Sequence, residues 1–176
     1  MAATEAPSRG PVPISYHRFH LVDMPQHGTP HPAPDSYTLF FNGLIDIQPG
    51  IAVITTGIAD GNVTLTVEVH GSPPPLHLND WDEVVETTFT STSGHLMVAA
   101  LEFNLEHEFP NLATTGPGKY RLRVHARGRD EATDLSVTNS VEEYLIQAWP
   151  TSEDAEIVHQ TRDRYGAATR RTAKLS

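Results

Sequence analysis

Histidine is the side chain that most readily ligates a metal or moves a proton near neutral pH, and this chain has ten of them. Their spacing argues against either use. His17 and His20 are three apart, which puts them on opposite faces of a strand. His27 and His31 fall in a proline-rich stretch. There is no His-x-His pair and no His-Glu-x-x-His helix. Glu68 and His70 do share a strand face and could co-ligate a metal, although such a pair is more often a salt-linked surface couple. The chain has no cysteine, which excludes disulfides, thiolate metal sites and cysteine nucleophiles. Neither a Gly-x-Ser-x-Gly elbow nor a glycine-rich phosphate loop is present. No catalytic residue, metal or cofactor is assigned, and the expectation is a protein that is not an enzyme.

Charge is more informative. Asp and Glu number 22 against 12 Lys and Arg, a formal net charge of −10. Between Arg18 and Lys119 lie 100 residues without a single Lys or Arg, and they carry 12 carboxylates. Direct nucleic-acid binding by that stretch is excluded, because phosphates must be neutralised by cations. A basic protein partner fits better. Within the stretch, Leu76–Glu86 reads LHLNDWDEVVE, so that Asp80, Asp82, Glu83 and Glu86 surround Trp81. An aromatic anchor ringed by charge is typical of interface hot spots, and closely set carboxylates can mimic phosphates along a strand. These five residues are the candidate partner-binding set. The alternative is a loop whose Trp81 caps the core while its carboxylates face water. The opposite pattern occurs at Lys119, Arg121, Arg123, His125 and Arg127, all on one strand face, which we expect to meet carboxylates such as Glu142 or Glu143 on neighbouring strands. Protonating all ten histidines would cancel the formal charge, so the sequence also predicts a loss of acidic field in mildly acid solution.

The elements that position these groups are strands. Val63, Leu65, Val67 and Val69 alternate with polar residues, as in a strand with one wet face. The spacing predicts eight strands, over Val12–Val22, Tyr37–Ile47, Ile51–Ala59, Asn62–His70, Glu83–Ser91, His95–Phe103, Lys119–Arg127 and Glu142–Trp149. Asp60-Gly61 and Ser93-Gly94 read as hairpin turns. Prolines break the chain over Met24–Ser36 and at Pro73-Pro74-Pro75. No crossover helices separate the strands, which predicts an all-β chain, an antiparallel β-sandwich or jelly-roll-like domain over 12–150. A flexible tail is expected over 1–11. Residues 151–176 are expected to form a C-terminal extension, with a short helix from about Glu153 to Tyr165 and then a frayed basic tail. No apolar run approaches a membrane span and the N-terminus lacks the apolar core of a secretory signal, so the default location is cytoplasmic.

The opening strand carries Pro13-Ile14-Ser15-Tyr16-His17-Arg18-Phe19-His20. It resembles the start of the competence-protein-J family, inhibitors of a DNA-entry nuclease, and Tyr16, His17 and Phe19 match that pattern. Pro117-Gly118-Lys119-Tyr120-Arg121-Leu122 is similar to the family's late Gly-Asp-Tyr hairpin strand. The likeness covers about fourteen residues and has no counterpart for Leu76–Glu86. It implies a small β-rich protein that binds and silences a nuclease, which agrees with the charge. The function expected is therefore a non-enzymatic acidic binding protein, an inhibitor or immunity-type partner of a basic protein such as a nuclease or toxin. The alternatives are a β-sandwich that binds a small ligand or metal through His and carboxylates, and an assembly protein that uses its sheet edges.

Overall fold

The computed structural model describes residues 5–25, 33–35 and 38–175. His27 and His31 lie outside the described residues. Eleven strands and one helix follow in chain order: β1 (Ser8–Ile14), β2 (Arg18–Asp23), β3 (Ile45–Gln48), β4 (Ile51–Thr55), β5 (Asp60–Val69), β6 (Glu83–Ser91), β7 (Leu96–Ala99), β8 (Gly118–Arg127), β9 (Ser136–Val137), β10 (Glu143–Pro150), β11 (Ile157–Thr161) and α1 (Arg164–Leu175). The larger sheet has the order β1-β5-β10-β8-β6-β11, with β9 beside β5. The smaller is β3-β4-β2-β7. A mostly-β chain with one short C-terminal helix was expected and is found. The larger sheet is not purely antiparallel, because β10 and β9 both run parallel to β5.

One apolar core draws on both sheets. Phe19, Leu21, Ala52 and Ile54 come from the smaller, and Val63, Leu65, Val67, Leu122, Val124, Tyr144 and Ile146 from the larger. The alternation on β5 is as read: its four odd-numbered apolar residues are buried and the intervening polar residues are half-exposed.

Where the structure departs from the expected strands, the chain is changing sheets. Val12–Val22 divides into β1 in the larger sheet and β2 in the smaller, with the corner at Tyr16 and His17. Both have left-handed backbones, φ 52° and 60°. Asp60-Gly61 does not close a hairpin, because β4 and β5 lie in different sheets. Gly61 takes φ 131° there, and a Cβ on it would sit 1.7 Å from the Val137 carbonyl oxygen. Ser93-Gly94 likewise carries the chain from β6 to β7 across sheets, with Gly94 at φ 76°. Glycine tolerates this region; the sequence shows the turn but not its destination.

Several boundaries move, among them the end of Ile51–Ala59, which stops at Thr55. β1 begins at Ser8, inside the stretch read as a tail, because Ser8–Pro11 pair with β5. Of the described part of Tyr37–Ile47, residues 38–47, only the end is strand: Asn42 Oδ1 accepts from the backbone N–H groups of Leu44 and Ile45 and holds a turn before β3. The helix lies further along than Glu153–Tyr165. Thr151 Oγ1 accepts only from Glu153 N in a local turn, while Ile157–Thr161 pairs with β6. The cap is Asp163, whose Oδ1 accepts from Gly166 N at 2.7 Å.

Candidate functional site

The Leu76–Glu86 segment divides at the start of β6. Asp80 is exposed, Trp81 and Asp82 are half-exposed, and the Asp82 carboxylate accepts from Gly128 N. The Trp81 ring lies 5.0 Å from the Arg127 guanidinium and 5.3 Å from the His125 ring. Glu83 and Glu86 were expected to face a partner and do not. Glu83 is 0 % exposed, on the same side of β6 as Val85 and Phe89. It accepts from Arg170 Nη1 at 2.9 Å and from Asp163 N at 3.1 Å. Burial and the neighbouring Asp163 carboxylate push its pKa up to about 7, against the pull of Arg129 and Arg170. Glu86 is 6 % exposed on the other face. It accepts from Arg121 Nε (2.8 Å) and Arg123 Nε (3.0 Å) and pairs with His159 Nε2 at 2.9 Å. These partners outweigh burial and hold its pKa down at about 2. Strand alternation thus turns both carboxylates into internal counter-charges.

The cationic stripe on β8 is the other half of that arrangement. Besides the two arginines on Glu86, Arg127 pairs with Glu143 at 2.6 Å and Lys119 with Asp154 at 2.7 Å. His125 meets the Leu145 carbonyl through Nδ1, and burial brings its pKa down to about 4. The stripe pairs with carboxylates, as expected, and Glu143 is one of them. Glu142 points elsewhere, accepting from Gly57 N, Ile58 N and the Tyr144 hydroxyl. A second internal pair, Arg129 with Asp163 at 2.7 Å, ties α1 to the sheets.

The Tyr16–Phe19 motif serves the corner between sheets. Phe19 packs edge-on against Tyr144 at 5.4 Å. His17 stacks on Tyr165 at 5.9 Å, and its Nε2 lies 3.2 Å from Asp134. Tyr16 is exposed. Glu68 and His70 form a hydrogen-bonded couple at 3.0 Å, and Gln147 donates to the same carboxylate oxygen. Among the described residues no group of three His, Asp or Glu side chains gathers in metal-binding geometry.

One further concavity lies at the corner. A groove of about 580 Å³ runs between β1 and the loop after β7, lined by Pro11, Pro13, Ser15, Asp60, Phe103 and Glu106 among others. Glu102 also lines it, and no Lys or Arg does. Residues 101–103 were read as strand, but β7 ends at Ala99, which leaves Glu102, Phe103 and, beyond them, Glu106 exposed on a loop. The signal for this site was the cation-free acidic run itself, which did not say which of its carboxylates would remain outside.

Sequence comparison finds no matching family model and no matching curated protein. Fold comparison does find likenesses. The crystal structure of ComJ from Bacillus subtilis, described as an inhibitor of the DNA-degrading activity of NucA, is similar over 86% of this chain and 99% of its own, at 17% identity and a TM-score of 0.54. A protein described as crocagin biosynthetic gene J is similar over 84% of this chain and 98% of its own, at 15% identity and a TM-score of 0.52. What this chain shares with both at such identity is the fold.

Proposed function

We propose that the chain is a non-enzymatic, inhibitor-type binding protein whose partner is a basic protein, and that the partner is a nuclease. One observation carries the reading: eight of the twelve Lys and Arg residues are paired internally while a set of carboxylates is left outside. Arg9, Lys119, Arg121, Arg123, Arg127, Arg129, Arg164 and Arg170 each pair with a carboxylate of this same chain. Among the described residues Asp60, Asp80, Asp82, Glu102, Glu106 and Glu108 have no cation within ion-pair distance. Asp80 and Asp82 share their surroundings with Arg127, so the reading rests on the other four. A nuclease presents a basic cleft to phosphate, and a cation-free acidic surface is complementary to it. The fold shared with ComJ, itself described as inhibiting a nuclease, supports the same reading.

The test uses a purified DNA-degrading nuclease such as NucA, which ComJ is described as inhibiting. DNA degradation is measured with and without the purified chain across a range of salt. Inhibition that weakens as salt rises is the expected result. Full DNA degradation in excess chain removes the nuclease from the reading. Failure to retain any basic protein at low salt removes the reading altogether.

A further inference from the structure

We infer that the groove between β1 and the 101–106 loop docks an extended basic segment of the partner, with Lys or Arg on its acidic rim and an apolar side chain against Phe103. The inference rests on the reading above and adds where, and by what chemistry, the contact is made.

The groove's floor dictates side-chain contact. β1 is an edge strand of the larger sheet, and its residues Pro11 and Pro13 bring no N–H. A partner strand therefore cannot continue the backbone ladder along this edge, and recognition falls to side chains. The wall supplies an anchor: Phe103 is 57 % exposed, a large ring left in water beside two prolines. Covering such a surface is favourable, and aromatic residues dominate contact energies. The rim fixes the sign. Asp60, Glu102 and Glu106 stand on it without a cation, so an acidic segment or a nucleic acid is repelled and a basic one attracted.

The experiment follows binding of a fluorescein-labelled peptide, arginines flanking a central leucine, to the full chain by anisotropy; the same peptide with glutamates for arginines is the control. The wild-type chain is expected to bind the first and not the second. Glu102→Gln with Glu106→Gln should weaken binding about tenfold and flatten its salt dependence. Phe103→Ala should weaken it about tenfold with the salt dependence unchanged. Asp80→Asn with Asp82→Asn should leave it unchanged. If that last pair weakens binding as much as the groove pair, contact is diffuse: the groove inference fails and the acidic reading stands. If every groove variant binds like wild type, or the nuclease is inhibited while the peptide does not bind, the groove inference again fails alone. If neither peptide nor nuclease binds, both fail. Self-association abolished by Arg171→Gln with Lys174→Gln would give the groove to a second copy of this chain and overturn the inference.

Discussion

His20 shows how far a residue's environment overrides its type. It lies on β2 with its ring buried, and its Nε2 has no hydrogen-bond partner. Burial and the nearby Arg18 charge push its pKa down to about 4, and His125 reaches about the same value. Both rings are therefore neutral in the folded chain where unfolded histidine, with a pKa of about 6.5, begins to charge. The stability this provides is present above pH ~6.5 and is lost as the pH falls toward 4, on the order of 3 kcal/mol for each ring. Glu83 has the opposite sign. Its folded pKa of about 7 lies above the ordinary 4.5, so the stability it contributes is fully present below pH 4.5 and is lost as pH rises through 7. Urea unfolding across pH 4–8 separates the two. His20→Phe is expected to reduce the loss on acidification, and Glu83→Gln to remove the loss between pH 5 and 7. A Glu83→Gln chain with the wild-type pH profile would place that titration on another group.

At the scale of elements, α1 is held by charge more than by apolar contact. Arg129 and Asp163 are both almost wholly buried and bond through two nitrogen–oxygen pairs, while Arg129 Nη1 also donates to the Gly43 carbonyl. Removing one partner leaves a buried charge alone. Asp163→Ala should cost about 3–5 kcal/mol in urea unfolding and reduce the helical part of the circular dichroism. Arg170→Ala, at the half-exposed end of the same network, should cost less. Gly61→Ala should also be severe, because the new Cβ meets the Val137 carbonyl at a backbone angle that side chains avoid. What the sequence made legible follows from this division. The interior of β5 could be read, since its alternation reflects burial directly, whereas β6 and β8 alternate in residue type but are buried on both faces. Sheet membership could not, because a turn residue fixes a local angle and not the sheet that the next strand joins. Nor could the fates of Glu83 and Glu86 be read: nothing local distinguishes a carboxylate facing water from one facing an arginine 35 residues away. The helix was displaced because Thr151 carried a cap-like sequence that pairing of Ile157–Thr161 with β6 overrode.

For the whole molecule, burying two of the histidines changes the expectation drawn from composition. His20 and His125 stay neutral well below pH 6, so histidine protonation does not by itself cancel the charge of −10. Electrophoretic mobility at pH ~5.5 should still be that of an anion, and binding to a basic partner should weaken there without vanishing. A protein that stops migrating at that pH would show that both rings are reached by solvent. The parallel contact between β5 and β10 has a consequence in time rather than in energy. It joins Thr64 to Glu143, and β6 waits in the same way for β11, whose Thr161 pairs with Glu83. Closing such long loops precedes any gain from the contacts they make, which slows folding to the millisecond-to-second range. A chain leaving the ribosome exposes the β5 backbone until nearly eighty further residues have been made. The nascent protein is therefore most open to aggregation in mid-synthesis, and release of a chain truncated before β10 should yield insoluble material where the full chain stays dissolved.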